Sequence, residues 1–399
     1  MTIPEGLHSL FVITLIAAVT PLMAARLPGS RIPEVVLLIV LGIVVGPGVL
    51  GLAQNSPAID LIANVGLGML FFLGGFELDR VVMMGQNGRA AAGAWLVSMA
   101  LALGVVGMLA ASGFVRAFLP VAIALTTTAL GTLLPILRDG GENRGAFGRA
   151  MIANGTIGEL FPIIAISVFL SGRGTWAALA LLLAFGAIAY VASRVALRLR
   201  RHPITQILRS GSETSSQTTV RFAVFLLVAL LLIAGRLGLD VILGAFAAGI
   251  VLRVALPDGD PALEHKLDGL AFGFFIPAFL VVSGMELDVH SIVQNPGRMF
   301  LFFALMVAVR GTPVLLIFRR WFPNAEALRM ALYSATGLPL IVAISEIGLQ
   351  TGVMRPENAA ALVGAGLLSV IFLPMLARML PRPALAPSAD NAQAVPVVE

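Results

Sequence analysis

Long apolar runs recur along almost the whole of this 399-residue chain, and many of them are about 20 residues long. A helix needs roughly 20 apolar residues to cross the ~30 Å hydrocarbon core of a bilayer. Hydrophobic residues make up 58% of the chain and charged residues only 12%, well below the share of about 25% in soluble domains. The runs lack the alternation that a strand barrel needs. The sequence therefore predicts an all-α polytopic membrane protein.

Thirteen segments are predicted to span the membrane. Their limits are residues 8–25, 34–52, 59–78, 90–112, 117–137, 149–170, 175–196, 220–235, 239–256, 267–285, 299–318, 326–349 and 358–379. No basic stretch precedes the first segment, which is expected to be a span and not a cleaved signal. Together they form a transmembrane domain over residues 1–380. Residues 198–219, basic and then rich in Ser and Thr, are predicted to link two halves, and residues 381–399 to be a disordered cytoplasmic tail.

The basic residues test the number of spans, because they concentrate on the cytoplasmic side of a membrane. With thirteen spans and the N-terminus outside, 20 of the 26 Lys and Arg residues fall inside, five fall outside, and Arg310 lies within a span. This distribution favours a multi-pass protein of the inner (plasma) membrane with an outer N-terminus and a cytoplasmic C-terminus. The net charge of +5 arises between spans and does not indicate nucleic-acid binding. With no cysteine, thiol chemistry and thiolate metal sites are excluded.

A short pattern occurs twice and indicates an internal repeat. Residues 72–79 read FLGGFELD and residues 281–288 read VVSGMELD. Further along the chain, the segments around Thr128 and Thr336 follow nearly the same spacing. An odd number of predicted spans separates the two copies, so the halves, approximately residues 34–171 and 239–380, are expected to be inverted relative to each other. Inverted repeats are typical of secondary transporters.

The repeat points to one interrupted span in each half, within residues 124–135 and 331–339. Each contains glycine and proline, which interrupt helices, and corresponding interrupted spans indicate a transport site. Hydroxyls and freed carbonyls there are ligands suited to a hard cation. The alternative is that these small residues only allow close helix packing. The candidate hydroxyls belong to Thr126, Thr127, Thr128 and Thr336.

One carboxylic acid, Glu159, lies in the middle of the apolar segment 151–170. An acid at this depth costs at least a few kcal/mol, so it is expected to face a cavity or a partner and to be functional. Pro162 is expected to leave the carbonyl of Gly158 without its helical partner, so that this oxygen and Glu159 could bind a cation or a proton. Asn154 could line the same cavity. The alternative is a protonated structural glutamate bonded to a neighbouring helix.

A second charge within a span is Arg310, just before Gly311 and Pro313. A permanent cation at this depth needs a partner. The candidates are Glu159, the carbonyl ends of the interrupted helices, and Glu346. For Glu346, a position at the interface with its carboxylate in water is equally compatible with the sequence.

Several segments, in their order along the chain, resemble the monovalent cation:proton antiporters, most of all the Kef-type group. They are FFLGGFELD, TTTAL, the span with Glu159, LGAFAAGIVL and FFIPAFLVVSGMELD. The resemblance implies the thirteen-span sodium/proton antiporter fold, a homodimer, and two unwound helices that cross at residues 126–130 and 334–338. It would make Glu159 the cation and proton carboxylate, with Arg310 neutralising the crossing. Where this chain has Gly158-Glu159, the family usually has Asp preceded by Asn, Asp or Gln.

The expected function is therefore exchange of a monovalent cation, Na⁺ or K⁺, for protons by alternating access, without a cofactor or a resident metal. A carrier of another solute on the same fold, such as an organic anion, is the main alternative, and it would depend more on Arg310. An intramembrane enzyme would need a nucleophile–base pair or metal ligands, which the predicted spans lack. A receptor without transport would normally carry an output domain.

Overall fold

The computed structural model describes residues 5–26, 33–77, 85–139, 141–143, 145–169, 175–199, 217–256, 261–287 and 289–381. Throughout these ranges the regular secondary structure is helical. Most of the predicted linker and all of the predicted tail except Pro381 lie outside the described residues, as do Asp79 and Asp288 of the repeated pattern.

The helices of the first half lead up to the predicted linker. They are α1 (Glu5–Arg26), α2 (Glu34–Val45), α3 (Pro57–Phe76), α4 (Gln86–Ala111), α5 (Phe118–Ala124), α6 (Leu130–Asp139), α7 (Gly145–Phe169) and α8 (Thr175–Leu199). The second half contains two π-helical turns, each continuous with the α-helices that flank it. Its elements are α9 (Thr218–Leu237), α10 (Val241–Ala255), α11 (Pro261–Leu270), π1 (Ala271–Phe275), α12 (Ile276–Met285), α13 (Val289–Gln294), α14 (Pro296–Met306), π2 (Val307–Gly311), α15 (Thr312–Phe318), α16 (Asn324–Ser334), α17 (Pro339–Gln350) and α18 (Pro356–Met379).

The predicted spans coincide with helical segments, so the prediction of an all-α protein with many spans is confirmed. Within the described ranges, nine helical stretches are long and apolar enough to cross a membrane, and three shorter apolar helices accompany them. The count of thirteen crossings stays a prediction. The largest difference concerns the second predicted span, residues 34–52. Its helix ends at Val45, because Gly46 turns the backbone into an extended conformation and Pro47 follows it.

One set of helices packs through direct backbone contact. In this set α3 packs against α10 and α12, α2 against α12, and α9 against α10. Gly42 of α2 faces the carbonyl of Val281 in α12, and Gly284 of α12 faces the carbonyl of Ile39 in α2. A Cβ on either glycine would overlap the facing oxygen, so the two backbones touch only because both positions lack a side chain. Small residues are the usual basis of tight helix packing in membranes, where lipid removes the hydrophobic drive for helices to associate.

A second set of helices holds the interrupted spans. In this set α4 packs against α7 and α15, α15 against α16, and α18 against α14 and α17. The helix α5 contacts α4, α7 and α17, so the first interrupted span lies between the helix that carries Glu159 and the second interrupted span. The charged and hydroxyl residues selected from the sequence therefore belong mainly to one packed unit.

Candidate functional site

The two interrupted helices meet where each one unwinds. The first loses its helical conformation over residues 125–129, between α5 and α6, and the second over residues 335–338, between α16 and α17. The backbone N–H of Ala129 donates to the carbonyl of Thr336 at 2.8 Å, and the hydroxyl of Thr128 donates to the carbonyl of Ser334 at 2.6 Å. Two bonds thus join segments about 200 residues apart, and the expected crossing is confirmed.

Local chemistry accounts for both interruptions. The hydroxyls of Thr126 and Thr127 donate to carbonyls three residues earlier, those of Ile123 and Ala124, at 2.8 and 2.9 Å. Such side-chain bonds compete with the helical pattern of the backbone. In the second helix, Pro339 has no N–H to give and begins α17. Gly337 allows the close approach, since a Cβ there would lie 2.6 Å from the hydroxyl oxygen of Thr127.

Glu159 is buried in α7 and caps the start of α6. Its Oε1 accepts hydrogen bonds from the backbone N–H groups of Leu130, at 2.8 Å, and Gly131, at 3.3 Å. These are free N–H groups at a helix N-terminus, where the helix dipole favours a negative charge. Its Oε2 faces Gly74 of α3, where a Cβ would lie 3.2 Å away. The carboxylate therefore has one oxygen held by α6 and the other directed at a position without a side chain.

The four candidate threonines have different surroundings. The hydroxyls of Thr126, Thr127 and Thr336 donate to carbonyls of their own helices, the last to Leu332 at 3.3 Å. Thr128 alone among the four uses its hydroxyl to reach the other interrupted helix. Between Glu159 and these hydroxyls, the described residues contain no direct hydrogen bond. The four threonines thus shape the crossing, while the carboxylate is held by backbone N–H groups.

Arg310 lies fully buried in the π-helical turn π2 and binds neutral partners. Its Nε donates to the hydroxyl of Thr128 at 3.0 Å, and its Nη2 donates to the carbonyl and the side-chain oxygen of Asn154 at 3.1 and 3.3 Å. The amide of Asn154 donates in turn to the hydroxyl of Ser334. Of the proposed partners, neither Glu159 nor Glu346 forms an ion pair with Arg310 within the described residues. Through Thr128, the arginine instead reaches the carbonyl end of α16, where the helix dipole favours a positive charge.

The carbonyl of Gly158 lacks its helical partner, as expected from Pro162, but it is not spare. Pro162 does lie inside α7, but the carbonyl of Gly158 accepts the backbone N–H of Thr128 at 3.0 Å. This bond ties α7 to the unwound segment of the first interrupted helix. A Cβ at Gly158 would lie 2.5 Å from the Thr128 hydroxyl and 2.8 Å from Nη2 of Arg310. The glycine therefore provides the space in which arginine and threonine meet.

Two further acids lie outside this cluster. Glu346 of α17 accepts a hydrogen bond from Gln350 at 3.1 Å and lines a cavity together with Glu286, so its proposed role as a partner of Arg310 is not supported. Glu142, just before α7, forms a buried ion pair with Arg329 of α16. Sequence reasoning did not find this pair. The sequence signal that could have revealed the pair was Arg329, a basic residue three positions inside a predicted span.

Comparison with known proteins agrees with this architecture. The sequence matches the transmembrane family of sodium/hydrogen exchangers over residues 12–380. The chain therefore belongs to the sodium/hydrogen exchanger family. It is 26% identical over 389 residues to the putative Na⁺/H⁺ antiporter YjbQ of Bacillus subtilis, covering 92% of this chain and 62% of that protein. It is 23% identical to the Na⁺/H⁺-K⁺ antiporter GerN of Bacillus cereus, covering 86% of this chain and 88% of GerN.

A potassium-efflux protein and a solved antiporter structure are also similar to this chain. The glutathione-regulated potassium-efflux protein KefC of Salmonella heidelberg is 27% identical over 356 residues, covering 86% of this chain and 56% of KefC. Among solved structures, the sodium proton antiporter MjNhaP1 of Methanocaldococcus jannaschii matches with a TM-score of 0.65 and 17% identity, covering 94% of this chain and 99% of that one. At this identity the structural match shows the fold alone, and it is the sodium/proton antiporter fold.

Proposed function

We propose that this protein exchanges a monovalent cation, Na⁺ or K⁺, for protons, and that Glu159 binds the two in turn. The observation that carries the proposal is the setting of the Glu159 carboxylate. It is buried within a membrane span, its Oε1 is held by the start of α6, and its Oε2 faces Gly74. The names of the relatives, which are Na⁺/H⁺ antiporters and a potassium-efflux protein, support the same activity.

The chemistry of exchange follows from competition for one carboxylate. The N–H groups of Leu130 and Gly131 stabilise the charged form, which attracts a cation. A proton on the same carboxyl group removes that charge, so cation and proton exclude each other. One carboxylate at the crossing would make the exchange one-for-one and electroneutral. Asn154 and Thr128 would contribute indirectly, by holding Arg310 at the crossing.

Alternating access would expose Glu159 to each side of the membrane in turn. Glu77, exposed at the end of α3, lies within electrostatic range of Glu159. In the predicted orientation, with the N-terminus outside and the C-terminus in the cytoplasm, Glu77 is on the inner side. The same proposal places the protein in the plasma membrane as a homodimer. No observation favours the alternative of an organic-anion carrier.

The decisive experiment measures proton movement with a pH-sensitive dye in proteoliposomes, with Na⁺, K⁺ and Li⁺ added in turn. Glu159→Gln keeps the size of the side chain and removes its charge, so cation-dependent proton movement should disappear while the protein remains folded. Glu159→Asp restores the residue usual in the family and should retain exchange. Glu357→Gln, at an exposed glutamate in the first turn of α18, is the matched control and should leave exchange unchanged. Normal exchange by Glu159→Gln would refute the proposal.

A further inference from the structure

A cavity with two carboxylates in its lining lies away from Glu159, between α12, α17 and α18. Its volume is about 50 Å³. Two carboxylates and two hydroxyls line it, from Glu286, Glu346, Ser283 and Ser345, and the remainder of the lining is apolar. A water molecule needs roughly 10–15 Å³ of such space, so the cavity has room for a small ion together with a few waters.

The hydroxyl of Ser345 has no hydrogen-bond partner among the described residues, although the side chain is only 3% exposed. Several serines within helices donate to a carbonyl one turn back, as Ser98 does to Ala94 at 2.9 Å and Ser369 to Gly366 at 2.7 Å, whereas the buried hydroxyls of Ser345 and Ser167 do not. Ser345 departs from this pattern and lines the cavity. A buried hydroxyl without a partner is destabilising, and a ligand in the cavity would offset that cost.

The surroundings of the cavity are acidic. Glu346 lies within electrostatic range of Glu286, Asp60 and Asp240. Neither Glu286 nor Glu346 forms an ion pair with a basic side chain in the part of the chain that the structure describes. Each accepts one hydrogen bond from a neutral amide, from Asn55 at 2.5 Å and from Gln350 at 3.1 Å. The negative charge of the pair is therefore not neutralised by the protein.

We propose that this cavity binds a partly hydrated monovalent cation through the carboxylates of Glu286 and Glu346 and the hydroxyl of Ser345. Carboxylate and hydroxyl oxygens are the ligands of hard cations, and waters complete the shell. The site shares no residue with the one around Glu159. In the predicted orientation it lies toward the outer ends of the helices.

A single positive charge fits this pair of acids better than a double one. Desolvation by the surrounding residues, together with the nearby carboxylate of Asp60, raises the pKa of Glu286. The charged form of Glu286 is therefore less favoured than that of a free glutamate. A divalent ion would also need six to eight oxygen ligands, and two carboxylates with one or two hydroxyls supply few of them.

The test uses purified protein that carries Glu159→Gln, so that the first site no longer contributes. Thermal unfolding in detergent is followed as NaCl or KCl replaces choline chloride at constant ionic strength. Since a ligand that binds the folded state raises the melting temperature, we expect a saturable rise of roughly 3 °C or more. Adding Glu346→Gln or Glu286→Gln should raise the half-maximal cation concentration at least tenfold. Adding Ser345→Ala should raise it severalfold with little disturbance of the fold.

The control variant and the results that would overturn the inference are measured in the same Glu159→Gln protein. Adding Glu357→Gln removes an exposed charge next to Pro356, which lines the cavity, and should leave the cation dependence unchanged. The inference is overturned if the melting temperature of Glu159→Gln is the same in choline, Na⁺ and K⁺, or if the rise survives both glutamate substitutions. It is also overturned if Mg²⁺ or Ca²⁺ produces the rise at concentrations far below those of Na⁺. None of these results bears on whether Glu159 exchanges ions, which the proteoliposome assay measures separately.

Discussion

Substitution of Gly158 is a direct test of the geometry at the crossing. The Cβ of Gly158→Ala would lie 2.5 Å from the Thr128 hydroxyl oxygen and 2.6 Å from the Thr128 Cβ, roughly 1 Å closer than ordinary van der Waals contact. The main chain of Thr128 is fixed by its bond to the carbonyl of Gly158, so it cannot withdraw without losing that bond. Overpacking costs about 1–3 kcal/mol and a lost hydrogen bond about 1 kcal/mol. We expect a destabilisation of roughly 2–4 kcal/mol.

The measurement is the melting temperature of the purified protein in detergent, with ion exchange in proteoliposomes as the second readout. At about 2–4 °C per kcal/mol for larger domains, Gly158→Ala should lower the melting temperature by roughly 4–16 °C. Gly104→Ala is the matched control, because Gly104 lies inside α4 with nothing near a Cβ, and alanine there should be neutral or stabilising. Gly158→Asn, although usual in the family, should be at least as harmful as alanine. If Gly158→Ala had the melting temperature and the exchange rate of the wild type, the proposed close contact between Gly158 and Thr128 would be refuted.

Three further substitutions test the contacts around the carboxylate and the arginine. Arg310→Lys retains the charge but cannot bond both Thr128 and Asn154 as the guanidinium does, so the melting temperature should fall and exchange slow at least tenfold. Thr128→Val keeps the shape and removes a hydroxyl that both donates and accepts, so thermal unfolding should show a loss of roughly 2–4 kcal/mol. Gly74→Ala puts a methyl group 3.2 Å from Oε2 of Glu159, so the KM for the cation should rise while the melting temperature changes little. An unchanged KM would place the cation elsewhere.

The interrupted helices could be predicted from the sequence because the residues that cause them act locally. The hydroxyls of Thr126 and Thr127 bond to carbonyls three residues away, and Pro339 lacks its own N–H. The order of the apolar segments likewise predicted the helices, because each helix forms its backbone hydrogen bonds within itself. The inverted relation of the two halves stays a prediction.

Most side-chain partners of the buried polar groups could not be predicted, because they come from distant parts of the chain. Arg310 bonds to Thr128 and Asn154, which are 182 and 156 residues away. Two of the three candidate partners for Arg310 were acids, but the fold surrounds the guanidinium with neutral oxygens and with the third candidate, the carbonyl end of an interrupted helix. The hydrogen bond of Gly158 could not be predicted for the same reason, because its carbonyl accepts an N–H from a segment that precedes it by 30 residues.

The contact between α2 and α12 has a consequence for how the protein is made. Val281 follows Gly42 by 239 residues, and ribosomes add roughly 5–20 residues each second. During synthesis α2 therefore spends roughly 10–50 s in the membrane before α12 has been synthesised. Throughout that interval Gly42 exposes bare backbone to lipid or to a membrane chaperone. Slower translation of the second half would prolong this state.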